Sequence, residues 1–253
     1  MKSDLPKVLH HVAGRPMLGH VFETLKEIGI TKVAVVLGEN YPQFFSLFDE
    51  YPSFNICVQK AQNGTGDAVA SAAPSFIGIH APSFAACELV KGEPFKARYV
   101  LICYGDVPAL TKDIIRLFVQ ASLDQRTSLA VLGMDIPNPK GYGRILTCCD
   151  CEVVGIVEDK DATPEQKKIT ICNSGIVFAE TEFLFEMLSG LTTNNSQKEY
   201  YLTDCFELAK KRGKRAFVHV TRDWQSLSGI NDREQLAAVE RMMIERSKGK
   251  AEK

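Results

Sequence analysis

Asp106 stands where the very apolar run "ARYVLICYGDVP" (97–108) stops. A carboxylate at the end of such a strand is the usual station for a metal ligand in an α/β enzyme. A carboxylate that merely caps the next turn is the competing reading. "QNGTGDA" (62–68) is a short Gly-rich loop after a strand, leading into a helical pattern. Its glycines would let backbone groups approach a base or a phosphate closely. Lys7, behind Pro6 in "MKSDLPKVLH", adds a cation with no apolar strand ahead of it. Other chemistries are missing. The chain has no G-x-x-x-x-G-K-[ST] phosphate loop and no G-x-S-x-G elbow, and "GYGRIL" puts Leu146 where a dinucleotide fingerprint wants Gly or Ala. His10, His11 and His20 cluster near one helix, where packing or surface roles suit them. "CCDC" at Cys148–Cys151 lacks a second ligand pair for zinc and reads as a hairpin turn carrying thiols.

These residues need a scaffold, and the sequence predicts one. Met17, Leu18, Val21, Phe22, Leu25 and Ile28 recur at helical spacing, so 16–29 is an amphipathic helix. "KVAVVLG" (32–38) suits a strand buried on both faces, "PQFFSLFDEY" a short helix and "NICVQ" (55–59) a strand. The 97–108 run is the strongest strand, followed by a helix at 112–123 and the strand "SLAVLGM" (128–134). From about 141 the pieces are shorter and β-rich. "GRILTCCDCEVVGIVED" reads as two strands around a turn, and "ITICNSGIVFA" as another strand. "DREQLAAVERMMIERSKGKAEK" is a helix, and 75–96 reads as an extended loop insertion. The fold class is α/β: a Rossmann-like, mostly parallel mixed sheet with helices on both faces. One domain is expected, with 1–140 as the nucleotide-binding part, 141–231 as the sugar-binding part and 232–253 as the C-terminal helix and tail. In open sheets of this kind ligands sit beyond the carboxyl ends of the strands, which directs attention to Gln59 and to Tyr104–Asp106.

With 253 residues, 45% hydrophobic and 24% charged, the chain can bury a full core. A net charge of −1 argues against a nucleic-acid partner. No apolar run approaches a membrane span and no signal-peptide core is present, so the expected compartment is the cytoplasm. Eight cysteines are too dilute and irregular for a disulfide framework. Homo-oligomerisation is allowed by the sequence and not specified by it.

The ordered set "SDLPKVLH", "AGRPML", "QKAQNGTGDA", "CYGDVPAL", "GYGRI", "GIVEDKDAT", "CNSGI", "NNSQKEYYLTD" and "SGINDREQL" covers nearly the whole chain apart from 75–96. It resembles the bacterial N-acetylglucosamine-1-phosphate uridyltransferases (UDP-N-acetylglucosamine pyrophosphorylases). The resemblance implies a nucleotide-diphospho-sugar transferase fold. It also implies an enzyme that makes UDP-N-acetylglucosamine, a cell-wall precursor, and pyrophosphate from UTP and N-acetylglucosamine 1-phosphate with Mg²⁺. It assigns the metal to Asp106 and Asn231, and a phosphate contact to Lys7, with Lys7 and Asp106 as the catalytic pair. Uracil reading falls to Gln59, Gly64 and Thr65. The sugar pocket falls to Tyr104, Gly143, Glu158 and Asn173, with Glu199, Tyr200 and Thr203 as the substrate-side segment. For Tyr104, Tyr200 and Thr203 plain packing stands as the other reading.

The family's fingerprint ahead of "SDLPKVLH" is a strand and a Gly-rich L-A-A-G-x-G-T-R-M loop, and here Met1 stands where it ends. The expectation is that Met1 is a misassigned start or a truncation, and that the first strand is missing from the sheet. That strand is normally central, so 33–37 and 99–104 should lack their shared neighbour. Five buried apolar side chains are worth roughly 10 kcal/mol. No hexapeptide repeat follows, so acetyltransferase activity is not expected. Two alternatives stay open: a non-catalytic nucleotide-sugar-binding remnant, and a related enzyme using another sugar phosphate or nucleotide.

Overall fold

In the computed structural model, residues 4–148 and 151–251 are described. A single 3-10 turn (Lys7–Leu9) leads to a two-residue hairpin, β1 (His11–Val12) and β2 (Arg15–Pro16), then to helix α1 (Met17–Glu27). Strand β3 (Ala34–Leu37), helix α2 (Phe45–Phe48), strand β4 (Asn55–Gln59) and helix α3 (Thr65–Ala70) follow. Next come β5 (Cys87–Lys91), β6 (Tyr99–Ile102), α4 (Lys112–Asp124) and β7 (Leu129–Asp135). The hairpin strands β8 (Arg144–Thr147) and β9 (Glu152–Val157) precede the long β10 (Ile171–Glu180) and α5 (Thr181–Leu188). Helix α6 (Asp204–Lys211), strand β11 (Ala216–Thr221) and helix α7 (Arg233–Ala251) complete the order.

The periodic segments become the elements their spacing predicts, because each buries its apolar side. In β7, alternate residues face opposite cores. Leu129 and Val131 pack with Leu184 and Phe185 of α5 and Phe206 of α6, whereas Ala130, Leu132 and Met134 pack with Val21 of α1 and Ile115 and Phe118 of α4. Helices therefore cover both faces, as expected for α/β.

The strands form a six-stranded sheet, β6-β10-β7-β11-β9-β8, and a separate three-stranded sheet, β3-β4-β5. Strands from both sides of residue 140 contribute to the larger one. The mixed sheet is borne out, but its parallel share is smaller than predicted. Among the described residues only β3 with β4 and β7 with β11 pair parallel. The ten-residue β10 lies centrally and runs antiparallel to β6, β7 and β8, and β8 and β9 form an antiparallel hairpin. The stretch 75–96 also departs from expectation. It is not a bare loop, since β5 pairs antiparallel with β4 and Phe76 bridges Phe95.

Among the described residues β3 and β6 have no shared neighbour: they are outer strands of their sheets, each with one edge unpaired. Between them lies an apolar slot of about 590 Å³, lined by Val33–Val36 and Tyr99–Ile102 and reaching Thr65, Tyr104 and Gly105 at one end. It leaves β6, an apolar strand, half-buried throughout, and Ala34 and Val36 of β3 half-buried too. Among the described residues no helix is long and apolar enough to cross a membrane.

Candidate functional site

At the carboxyl end of β6 the chain turns at Gly105-Asp106, and the Asp106 backbone carbonyl accepts the Ile230 N–H at 3.0 Å. This ties the turn to the segment ahead of α7. There Asp232 accepts the Gln235 N–H at 2.8 Å while Gln235 accepts the Asn231 N–H at 2.6 Å, a reciprocal cap that the spelling N-D-R-E-Q encodes. The result is convergence. Lys7 Nζ donates to Asp106 Oδ2 at 2.6 Å and to Asn231 Oδ1 at 2.9 Å. Two oxygen donors from distant parts of the chain thus aim at one point, and a cation sits on it. That is the donor set magnesium takes when substrate phosphates and water complete its shell, so Asp106 and Asn231 fit the ion. Among the described residues no group of three His, Cys, Asp or Glu side chains could hold a metal. A site with two protein ligands does not need one.

The second cluster lies beside the first. The ladder of β10 shifts register between Asn173 and Val177, and this bulge carries Asn173 and Gly175. Asn173 Oδ1 accepts the Gly175 N–H at 2.8 Å, and among the described residues its Nδ2 meets no acceptor. The Asn173 N–H is anchored on the Gly143 carbonyl at 2.8 Å. A Cβ on Gly143 would lie 3.3 Å from Glu158 Oε2, and Glu158 Oε1 accepts the Thr203 hydroxyl at 3.0 Å. Burial pushes the Glu158 carboxyl up, with the Thr203 hydrogen bond opposing it. Tyr104 links the two clusters: burial first, then Glu158 and Asp106, push its phenol up to about 12. Tyr104, Gly143, Glu158, Asn173 and Thr203 therefore form one wall. Glu158 also lines a cleft of about 960 Å³ with Asp161, Asn195, Tyr201 and Asp204, whose carboxyl burial raises to about 6.

The third cluster is the loop after β4. Gln59 is buried, and Gln59 Nε2 donates to Asp67 Oδ2 at 2.7 Å. Gly64 sits at φ +106, yet its Cβ side is filled by the Tyr200 carbonyl at 2.7 Å and the Glu199 side chain at 2.8 Å. Thr65 Oγ1 accepts the Leu202 N–H at 3.0 Å. Glycine here thus serves close packing of 199–202 on the loop. Glu199 and Tyr200 join this loop and not the Glu158 wall; the Tyr200 ring stacks on Phe84 with centroids 3.8 Å apart. Of the three residues of that segment, Thr203 reaches the wall.

With this geometry in hand, residues 1–147 match the MobA-like NTP transferase domain. The chain belongs to that family. Bifunctional protein GlmU of Marinobacter nauticus is 41% identical over 241 residues, covering 95% of the chain and 48% of the relative. GlmU of Sorangium cellulosum is 40% identical over 253 residues, covering 97% of the chain and 50% of the relative. The chain spans about half the length of these curated relatives. Its fold is that of a UDP-glucose pyrophosphorylase solved with UDP-glucose, at TM-score 0.70 and 15% identity over 96% of this chain and 91% of that one. A CMP:2-keto-3-deoxy-manno-octonic acid synthetase solved with CTP superposes at TM-score 0.65, with 14% identity over 97% and 95%.

This MobA-like NTP transferase domain also uses residues that sequence reasoning passed over. Arg144 is 2% exposed; it pairs with Asp159 at 3.0 Å and donates to the Tyr142 carbonyl. It brackets the two loops that present Gly143 and Glu158. Asp67, inside the quoted "QNGTGDA", is fully buried against Gln59. An acid inside the otherwise small, apolar run "GDAVASAA" was the signal for it. Of the histidines near α1, His20 Nε2 meets the Val12 carbonyl at 2.7 Å and His11 is exposed, in keeping with packing and surface roles. The middle of "CCDC" lies outside the described residues; Cys148 and Cys151 flank the β8–β9 turn, both exposed.

Gly175 fixes Tyr104. At φ +80, a Cβ there would lie 2.1 Å from the Tyr104 ring. Gly175→Ala is expected to lose about 2–4 kcal/mol, from overpacking and from the left-handed backbone. A denaturant midpoint unchanged in this variant would show that the ring is not held here.

Proposed function

We propose that the chain is the nucleotidyltransferase part of an enzyme that makes UDP-N-acetylglucosamine and pyrophosphate from UTP and N-acetylglucosamine 1-phosphate. What carries this reading is the convergence of Asp106 Oδ2 and Asn231 Oδ1 on the Lys7 ammonium at the carboxyl end of β6. The GlmU relatives and the NTP transferase domain support the nucleotidyl-transfer part of this reading.

In this reading an oxygen of the sugar phosphate forms a bond to the α-phosphorus of UTP, and the bond to the β-phosphate oxygen breaks in line. Pyrophosphate leaves with that electron pair. Little covalent work falls to the protein, so catalysis is positioning and charge neutralisation. Asp106 and Asn231 would hold a magnesium ion, which would supply neutralisation of phosphate oxygens when bound. Lys7 supplies a point charge to the same phosphates. Asn173 Nδ2 and the Glu158 carboxylate offer a donor and an acceptor to the amide and hydroxyls of the sugar, and Gln59 faces the base. Burial of Glu158 and Tyr104 keeps water from competing with these contacts.

A coupled pyrophosphate-release assay with UTP, N-acetylglucosamine 1-phosphate and Mg²⁺ tests the reading. Pyrophosphate release dependent on all three is the expected result. Nucleotide-sugar binding without turnover would overturn it in favour of a non-catalytic binding module, a reading that the open slot beside Thr65 and Gly105 favours. Turnover only with another sugar phosphate or nucleotide would move the specificity and keep the reaction class.

A further inference from the structure

We propose that Asp67 is a positioning residue that sets which nucleobase the pocket accepts, by locking the amide of Gln59 in one orientation. The inference rests on the reading of Gln59 as base-facing. Asp67 is fully buried at the start of α3, and its backbone carbonyl accepts both the Ser71 hydroxyl at 2.8 Å and the Ser71 N–H at 2.9 Å. Its side chain is thereby fixed in direction. Oδ2 accepts the Asn63 backbone N–H at 3.1 Å and Gln59 Nε2 at 2.7 Å, while Oδ1 is buried without a hydrogen-bond partner.

The Asn63 N–H can only donate, so Oδ2 must act as an acceptor. A glutamine amide has one donating and one accepting end. Turning the Gln59 amide over would set its Oε1 against Oδ2 at hydrogen-bond distance, two acceptors facing each other in a buried place. Such a contact costs the full penalty of an unsatisfied polar group plus charge repulsion. The amide is therefore held with Nε2 inward. Among the described residues Oε1 takes no hydrogen bond, and it is not sealed from solvent, so it can accept from a ligand.

A fixed acceptor discriminates between pyrimidines. Uracil carries a hydrogen on N3; cytosine presents a bare N3 acceptor at the same place. Oε1 accepts from the first and repels the second. A site built to hydrogen-bond one group rejects an analogue that leaves it unpaired far more strongly than a shape difference does. The fold itself does not settle the base, since solved relatives of this architecture carry UDP-glucose or CTP. The choice falls to local devices such as this one.

The test compares dissociation constants for UTP and CTP, measured by calorimetry on the whole chain. The wild type is expected to favour UTP. Asp67→Leu removes the acceptor while keeping the γ-branched shape and should cut the UTP-to-CTP preference about tenfold. Asp67→Ala should give the same change in ratio if leucine does not fit. Asp67→Asn can keep its carbonyl on Asn63 and Gln59 and should retain the preference. A residue that merely supports the loop would weaken both nucleotides equally, so an unchanged ratio in the leucine and alanine variants overturns the proposal. Gln59→Met should abolish the preference; if it does not, Gln59 is not the base reader and the lock falls with it. A wild type binding neither nucleotide overturns the uridylyl reading itself, and one binding both equally overturns the lock alone.

Discussion

An apolar strand of about five residues fused ahead of residue 1 through a short Gly-rich loop should raise the thermal midpoint by about 5–10 °C. The slot between β3 and β6 has the attributes of a strand site. Both bordering strands keep an open edge, and both wall it with branched apolar side chains. The entry point is within reach, because Val8 Cγ1 lies 3.5 Å from where a Gly105 Cβ would be. Burying five apolar side chains yields roughly 10 kcal/mol. Ordering five residues costs about 1.5 kcal/mol each, so roughly 2–3 kcal/mol remains. At about 2–4 °C per kcal/mol for a chain of this size, the shift is the one stated. A fusion of equal length with Asp and Lys at alternate positions serves as the control, since buried charges would oppose insertion. An apolar fusion that melts no higher than the control would show that the slot does not take a strand. The slot also reaches Thr65, Tyr104 and Gly105, so a loop leaving that end would emerge beside Asp106.

The sequence revealed elements whose burial is periodic and local. α1, α4, β4 and β10 fall close to where their apolar spacing places them, because each buries its apolar residues: Ile115 and Phe118 of α4 pack with Val21, alternate residues of β10 enter the two main cores, and Phe22 of α1 shares a third core with Ile56 of β4. Pairing direction was hidden. Nothing local in "ITICNSGIVFA" says that it will oppose three strands at once; that follows from its length and central place. β5 was hidden too. "CELVK" is short, sits between Pro- and Gly-rich pieces, and becomes a strand because β4 offers an edge. The strand β11, "AFVHVT", acquires its meaning only by lying between β7 and β9.

At the site, chemistry at strand ends was legible and chemistry between side chains was not. Asp106 and Gln59 announce themselves as polar residues closing apolar runs. Asn231 carries no such local mark, and only the ordered family motifs point to it. Asp67 and Arg144 act on Gln59 and Asp159, neighbours acquired by folding, so single-residue reading passes over them. The "CNSGI" motif is explained by structure alone. Its Asn-Ser-Gly is a bulge in which Ser174 donates to the Leu132 carbonyl at 2.7 Å and Gly175 clears the Tyr104 ring.

Asp106→Ala should lower kcat/KM of any active form by about a thousandfold or more, and should abolish binding of Mn²⁺ used as a probe for the divalent site. Lys7→Met should separate these two effects. Lys7 Nζ now sits between Asp106 Oδ2 and Asn231 Oδ1, so an ammonium and a divalent ion compete for the same oxygens. The pair is partly exposed, with 38% of the Lys7 side chain and 18% of the Asp106 side chain accessible. Solvent screening therefore limits its worth to about 1 kcal/mol or less. Removing the ammonium should tighten Mn²⁺ about two- to fivefold in the absence of nucleotide. With nucleotide bound, the same variant loses the point charge on the phosphates, and turnover should fall about a hundredfold. A lysine that only neutralised Asp106 would give tighter metal and unchanged turnover. A lysine that only touched phosphate would leave Mn²⁺ affinity untouched. Opposite signs in the two measurements would mark a cation that occupies the proposed metal site until substrate phosphates draw it away.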